Sequence, residues 1–230
     1  MKIVMLVAAH KDYWMPSDRI YTPIQVGAAG KAPLHPNWLR DDTGDQISRK
    51  NAGFCELTGY YWAWKNYPAE VYGTCHYRRY FANHALGQPK KQRLLTAAQI
   101  QRLLQNADMV LPPKRHYWIE TRESQYIHAH NAQDLQCARQ VLTEKYPEYL
   151  PEWEQVMRSR SGHIFNMLIA RRPIFDAYCT WLFDMLFEVE KRLDTSGYSP
   201  SDQRVFGYLA ERLLDVYVLH NHLRWVECPV

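Results

Sequence analysis

Short apolar runs alternate with helical repeats along this chain. Lys2–Ala9 (KIVMLVAA) is apolar without a break, the pattern of a central strand covered on both faces. Val71–Cys75, Asp108–Leu111 and His163–Ala170 (HIFNMLIA) repeat it, and a last strand is expected near Tyr217–Leu219. Between these runs the period becomes helical. A helix capped by Asn51 is expected to reach about Lys65, with Cys55, Gly59 and Trp62 on one face and Leu57, Tyr61 and Trp64 on another. Thr96–Asn106 turns Ile100, Leu103 and Leu104 to one side, and Asn131–Tyr146 and Pro151–Arg158 read as helices. Pro173 opens a helix marked by Phe175, Tyr178, Leu182, Met185 and Val189, and Asp202–Val216 carries Val205, Leu209, Leu213 and Val216 in register. Pro16–Leu39 shows no period and reads as a long loop, Arg40–Ser48 as a turn cluster, and Lys114–His130 as an irregular basic and aromatic stretch.

This order predicts an α/β fold, a mixed sheet flanked by helices. The 230 residues suffice for a single domain with its own core, whose first half looks like a nucleotide-binding half-fold. Glycine-rich dinucleotide and P-loop fingerprints are both missing. The formal charge of +4 is too small to argue for nucleic acid and compatible with an anionic ligand. Five cysteines, odd in number and without a CxxC pair, read as reduced thiols, and no apolar run spans a bilayer, so a cytoplasmic protein is expected, peripheral to a membrane at most.

The chemistry concentrates where strands end. Val71–Phe81 (VYGTCHYRRYF) runs from an apolar strand straight into His76, Tyr77, Arg78 and Arg79, and guanidinium groups hold phosphate in a bidentate fork. On a continuing strand Arg78 and Arg79 would face opposite ways, so both reach one ligand only if the strand has ended by Tyr77. His10, Lys11 and Tyr13 follow the first strand, where contacts to a base and ribose are made. Asp41, Asp42 and Asp45 are the densest carboxylate group, readable as a capped turn, a hard-cation site or acceptors for sugar hydroxyls. Glu56 and Tyr60 lie one helical turn apart, and Asn166 interrupts an apolar strand. Asp202 and Glu211 are candidate general bases.

The blocks AAHKDYWMP, PIQVGAAG, DDTGDQIS, NAGFCELTGYYWAWKN, HYRRYF, GHIFNMLIARRPIFDAYCTWLF and RVFGYLAERLL resemble, in this order, the bacterial glycosyltransferases of capsular and exopolysaccharide synthesis that form a domain of unknown function. The resemblance implies a GT-A-like fold, with a Rossmann-type nucleotide-sugar half over about residues 1–112 and a helical acceptor half over about 113–230. It also implies transfer of a hexose from a nucleotide sugar, UDP-linked by analogy, to a lipid-linked glycan in capsule, O-antigen or exopolysaccharide synthesis. With that fold, the donor-contact candidates are His10, Lys11, Tyr13, Asp41, Asp42, Glu56, Tyr60, His76, Arg78, Arg79 and Asn166, and the catalytic candidates Asp202, Glu211 and Arg78, a retaining enzyme needing no general base. His163–Ala170 and Asp202-Gln203 are similar to the strand and DQ pair of other GT-A enzymes. The Asp-x-Asp metal motif of many such enzymes is missing, and His76–Arg79 takes its place. That leaves open whether Mn²⁺ or Mg²⁺ is needed, and whether the chain is instead a non-catalytic subunit binding nucleotide sugar or glycan.

Overall fold

The computed structural model describes residues 1–83 and 93–230. Its main sheet has seven strands in the order β3-β2-β1-β4-β8-β5-β9, where β1 is Ile3–Ala9, β2 Tyr21–Gln25, β3 Leu39–Arg40, β4 Val71–His76, β5 Met109–Leu111, β8 Ile169–Arg171 and β9 Trp225–Glu227. Strand β8 alone runs antiparallel to its neighbours; the other pairings are parallel. A two-stranded ribbon pairs β6 (Arg115–His116) with β7 (Ser161–Gly162).

The unbroken apolar run of β1 is explained by its place. It lies between β2 and β4, and every residue is buried. Val4, Leu6 and Ala8 enter the larger core, while Ile3, Met5, Val7 and Ala9 enter a second core on the opposite face. The larger core is covered by α1 (Asn51–Phe54), α2 (Leu57–Asn66) and a helical layer of α4 (Arg122–Ala129), α5 (Ala132–Lys145), α6 (Leu150–Arg158), α7 (Arg172–Arg192) and α8 (Val205–His220). Helix α3 (Ala97–Asn106) closes the second core through Ile100 and Leu104, and Thr96 begins it with a capping box to Gln99.

Several expected elements differ. Pro16–Leu39 contains β2, which Pro23 disguises; its missing N–H is tolerated in a short strand beside the two-residue edge β3. The helix expected from Asn51 to Lys65 is two helices, broken at Cys55 with φ of 53°. Asn51 does not cap it. A 3-10 turn over Ser48–Lys50 precedes, and the Asn51 amide instead donates to the Cys55 carbonyl at 2.6 Å, bridging the break. Lys114–His130 is not irregular throughout, because it supplies β6 and α4; Thr121 and Ser124 form the α4 capping box without the usual Glu or Gln. Of His163–Ala170 only Ile169 and Ala170 are in a strand, since Phe165 and Asn166 take positive φ values of 78° and 51°. Residues Tyr217–Leu219 lie in α8, not in a strand. That helix is buried on nearly all sides, and a fully apolar run carries no period to tell the two apart.

Gly27 needs its hydrogen. Its φ is +60°, and a Cβ there would sit 2.5 Å from Asn51 Oδ1. Gly27→Ala is expected to cost about 1–3 kcal/mol through left-handed strain and displacement of Asn51. A urea midpoint within error of the unsubstituted protein would show that the Asn51 bridge yields freely.

Candidate functional site

From β1 the chain steps outward to β2 and β3, then returns to β4 on the other side of β1. The ends of β1 and β4 therefore flank a topological switch point, where open α/β sheets hold ligands. A cleft of about 460 Å³ lies there, lined from β1 and its exit by Ala8 and His10, from α1 and the helix break by Asn51, Ala52, Cys55 and Glu56, from the β4 exit by His76–Arg79, and from the α8 approach by Pro200, Gln203 and Arg204.

Strand β4 ends at His76. The His76 N–H donates to the Arg79 carbonyl at 3.1 Å, and the Arg79 N–H returns to the His76 carbonyl at 2.9 Å. This tight turn removes the alternation of a strand, so Arg78 and Arg79 both line the cleft. Arg78 lies 4.9 Å from the Tyr77 ring centroid and Arg79 4.2 Å from that of Phe165. Among the described residues, neither arginine is ion-paired to a carboxylate. Arg204 points its Nε at the Cys55 sulfur at 3.3 Å, and burial pushes that thiol up to about 11, so Cys55 brings no negative charge.

The cationic field is legible in His10, whose pKa burial lowers first and Lys11, Arg78, Lys31 and Arg204 lower further. An anion in the cleft would reverse that field and raise the His10 pKa. The bound state then holds more protons between the two values, so affinity for a diphosphate diester such as a nucleotide sugar, which does not itself titrate near neutrality, should rise as the pH falls from about 7 to about 6. Calorimetry in two buffers of different ionisation enthalpy should register proton uptake; release, or a flat pH profile, would count against the cationic cleft.

Glu56 is the one carboxylate on this lining among the described residues. It accepts from Asn166 Nδ2 at 2.7 Å, and Asn166 Nδ2 also reaches the Gly207 carbonyl at 3.0 Å. The Phe165–Asn166 turn that positions this amide is bound from every side. The Phe165 N–H donates to Glu211 Oε1 at 2.7 Å, the Phe165 carbonyl meets His76 Nε2 at 2.6 Å, and the Asn166 carbonyl accepts from the Tyr60 hydroxyl at 2.6 Å. Cys55, Phe165 and Asn166, three of the non-glycine residues with positive φ, thus border the site, as expected where backbone strain serves a function.

Other sequence candidates are placed differently. Asp41 is fully buried, and its carboxylate accepts from the Gly27 and Ala28 N–H groups at 2.8 and 3.0 Å and from the Ser48 and Thr58 hydroxyls at 2.5 and 2.6 Å. Asp42 pairs with Arg40 at 2.6 Å, and Asp45 accepts from the Tyr61 hydroxyl at 3.0 Å. The three carboxylates are separately engaged, and no group of three or more His, Cys, Asp or Glu able to hold a metal occurs among the described residues. The cluster does not fit a cation; it is a capped turn that fixes the β2–α1 connection. Tyr60 is buried, with its hydroxyl donating to the Asn166 carbonyl. Asp202 accepts from Ser199 Oγ at 2.7 Å and meets His130 Nδ1 at 3.2 Å, which hold it below the usual carboxylate range. Burial pushes Glu211 up. Neither Asp202 nor Glu211 is on the cleft lining, and Lys11 and Tyr13 lie on Tyr77 at its rim. Sequence reading missed Arg204 and Cys55. Arg204 follows the DQ pair, but a single arginine at a helix start carries no signal of its own.

Beyond the Arg78–Arg79 turn a second groove of about 780 Å³ shares Tyr77, Arg78 and Arg79 with the cleft and adds Tyr13, Trp14, Tyr80 and Phe165.

Comparison with known proteins gives a matching family model, Domain of unknown function (DUF4422), over residues 4–222. An apo structure of the WbbM bifunctional glycosyltransferase superposes with a TM-score of 0.91 at 27% identity, covering 100% of this chain and 45% of that one. This chain therefore spans less than half the length of that solved chain. No curated protein matches.

Proposed function

The chain belongs to the DUF4422 family, and from that premise and its cationic cleft we propose a glycosyltransferase that uses a nucleoside-diphosphate sugar. The observation that carries the reading is the β4 turn, which brings two arginines without carboxylate partners among the described residues to a switch-point cleft beside Arg204 and His10. A diphosphate leaving group develops negative charge as the glycosidic bond breaks, and preorganised guanidinium groups stabilise it where it forms. The likeness to a bifunctional glycosyltransferase supports the same class.

In this reading His10, Lys11 and Tyr13 meet the base and ribose of a UDP-linked hexose, Arg78, Arg79 and Arg204 the diphosphate, and Glu56 a hydroxyl of the donor sugar. Asn166 orients Glu56 through the bound turn. The aromatic groove takes the acceptor, a lipid-linked glycan of capsule, O-antigen or exopolysaccharide synthesis, because sugar rings stack on exposed aromatic faces. Glu56→Gln should lower kcat/KM about 10- to 100-fold, the worth of one charge-assisted hydrogen bond. An unchanged kcat/KM would remove Glu56 from the donor site.

The activity itself is tested by incubating the protein with UDP-, GDP- and CDP-sugars and lipid-linked acceptors and following transfer of labelled sugar. Transfer from one UDP-sugar is the expected result. Nucleotide-sugar binding without product across the panel would favour a binding subunit instead.

A further inference from the structure

The most exposed large apolar side chains of the described residues, Trp118 and Ile119, are neighbours on one loop, 89% and 87% accessible. Exposure of that degree at a single residue is ordinary; two adjacent bulky apolar groups at a tip are not. The loop is held at its base. Strand β6 pairs with β7, the Tyr117 N–H donates to the Arg160 carbonyl at 2.7 Å, the Arg122 N–H donates to the Ser159 carbonyl at 2.9 Å, and the Thr121 capping box starts α4 directly behind it. The fold therefore presents Trp118 and Ile119 to solvent on a fixed support.

Basic residues adjoin this tip in the ribbon at its base. Lys114, Arg115 and Arg160 are close to it along the ribbon, and none makes a side-chain ion pair among the described residues, though the Lys114 backbone N–H donates to Glu227 Oε1 at 3.4 Å. Lys114 Nζ lies 5.0 Å from the ring centroid of Trp225, a further exposed tryptophan on the edge strand β9. The nearest acid in sequence, Glu120, is engaged by His128 at 2.5 Å.

We propose that this tip docks the protein on an anionic lipid bilayer, with Trp118 and Ile119 inserted at the headgroup level and Lys114, Arg115 and Arg160 on lipid phosphates. Tryptophan prefers the membrane interface, and basic side chains with long apolar stems reach from it to the phosphate layer. Each cation near an anionic leaflet adds to the attraction. A bilayer fits better than a protein partner, because a stable protein interface needs a broad complementary face rather than a two-residue projection. No helix of the described residues is long and apolar enough to cross a membrane. The inference is independent of the nucleotide cleft.

Co-sedimentation of the whole chain with vesicles of phosphatidylcholine, with and without phosphatidylglycerol, tests it. Binding to the phosphatidylglycerol vesicles is expected, weakening with salt. The Trp118→Ser/Ile119→Ser variant should lose that affinity by about tenfold or more with melting temperature and nucleotide binding unchanged. Failure to bind anionic vesicles, or equal binding by the variant, would overturn the proposal. So would self-association that this variant abolishes without any vesicle binding, which would make a second copy the occupant.

Discussion

Arg78→Ala is expected to reduce kcat by about 100- to 1,000-fold, the range seen when one preorganised donor to a developing oxyanion is removed. The effect should fall on kcat more than on KM for the donor, because the charge on the diphosphate grows as the sugar leaves. Arg78 is exposed, packs on Tyr77 and makes no ion pair among the described residues, so its loss should leave the melting temperature nearly unchanged. Arg78→Lys should recover only part of the rate, since an ammonium restores the charge without the fork that grips two oxygens. Steady-state kinetics on the alanine and lysine variants read this directly. Full turnover by Arg78→Ala would mean that the β4 turn does not meet the leaving group.

Asp41→Ala should produce the largest loss of stability among the site candidates, about 3–5 kcal/mol. Two backbone N–H groups and two hydroxyls converge on this fully buried carboxylate, and alanine would take the acceptor from all four, leaving only the Thr58 hydroxyl with another, the Cys55 carbonyl at 3.1 Å. The damage would spread to the cleft, because Asp41 ties the Gly27–Ala28 turn to Ser48 before α1 and to Thr58 in α2. Chemical unfolding of the variant, with and without Mn²⁺, separates the roles. A large shift in midpoint that is indifferent to Mn²⁺ is the expected outcome. A protein of normal stability whose metal affinity had vanished would restore Asp41 as a ligand.

The strands and helices with strong periods were legible in the chain. Residues of β1, β4, α3, α5 and α7 lie within a residue or two of where pattern alone places them. What pattern could not supply was the local geometry that builds the site. The break at Cys55 and the turn at Phe165–Asn166 place non-glycine residues at positive φ, against their intrinsic preference; the Asn51 amide holds the first, and bonds from the distant Glu211 and Tyr60 hold the second. The same holds for Asp41: a cluster of aspartates looks alike in sequence whether its oxygens face a cation or backbone N–H groups. Arg78 and Arg79 were visible as chemistry from the start. Their common direction was not, since it depends on a turn closed by two hydrogen bonds between His76 and Arg79. Burial likewise hid α8, whose last turns read as a strand because no polar face marks a period.

The claim that a cationic strand end holds the donor diphosphate is tested most directly by calorimetric titration of UDP in EDTA, for the unsubstituted protein and Arg78→Ala. UDP binding that persists in EDTA is the expected result, weakened at least about tenfold in the variant because a guanidinium–phosphate hydrogen bond is gone. Binding that appears only when Mn²⁺ is supplied, or that Arg78→Ala leaves intact, would contradict it.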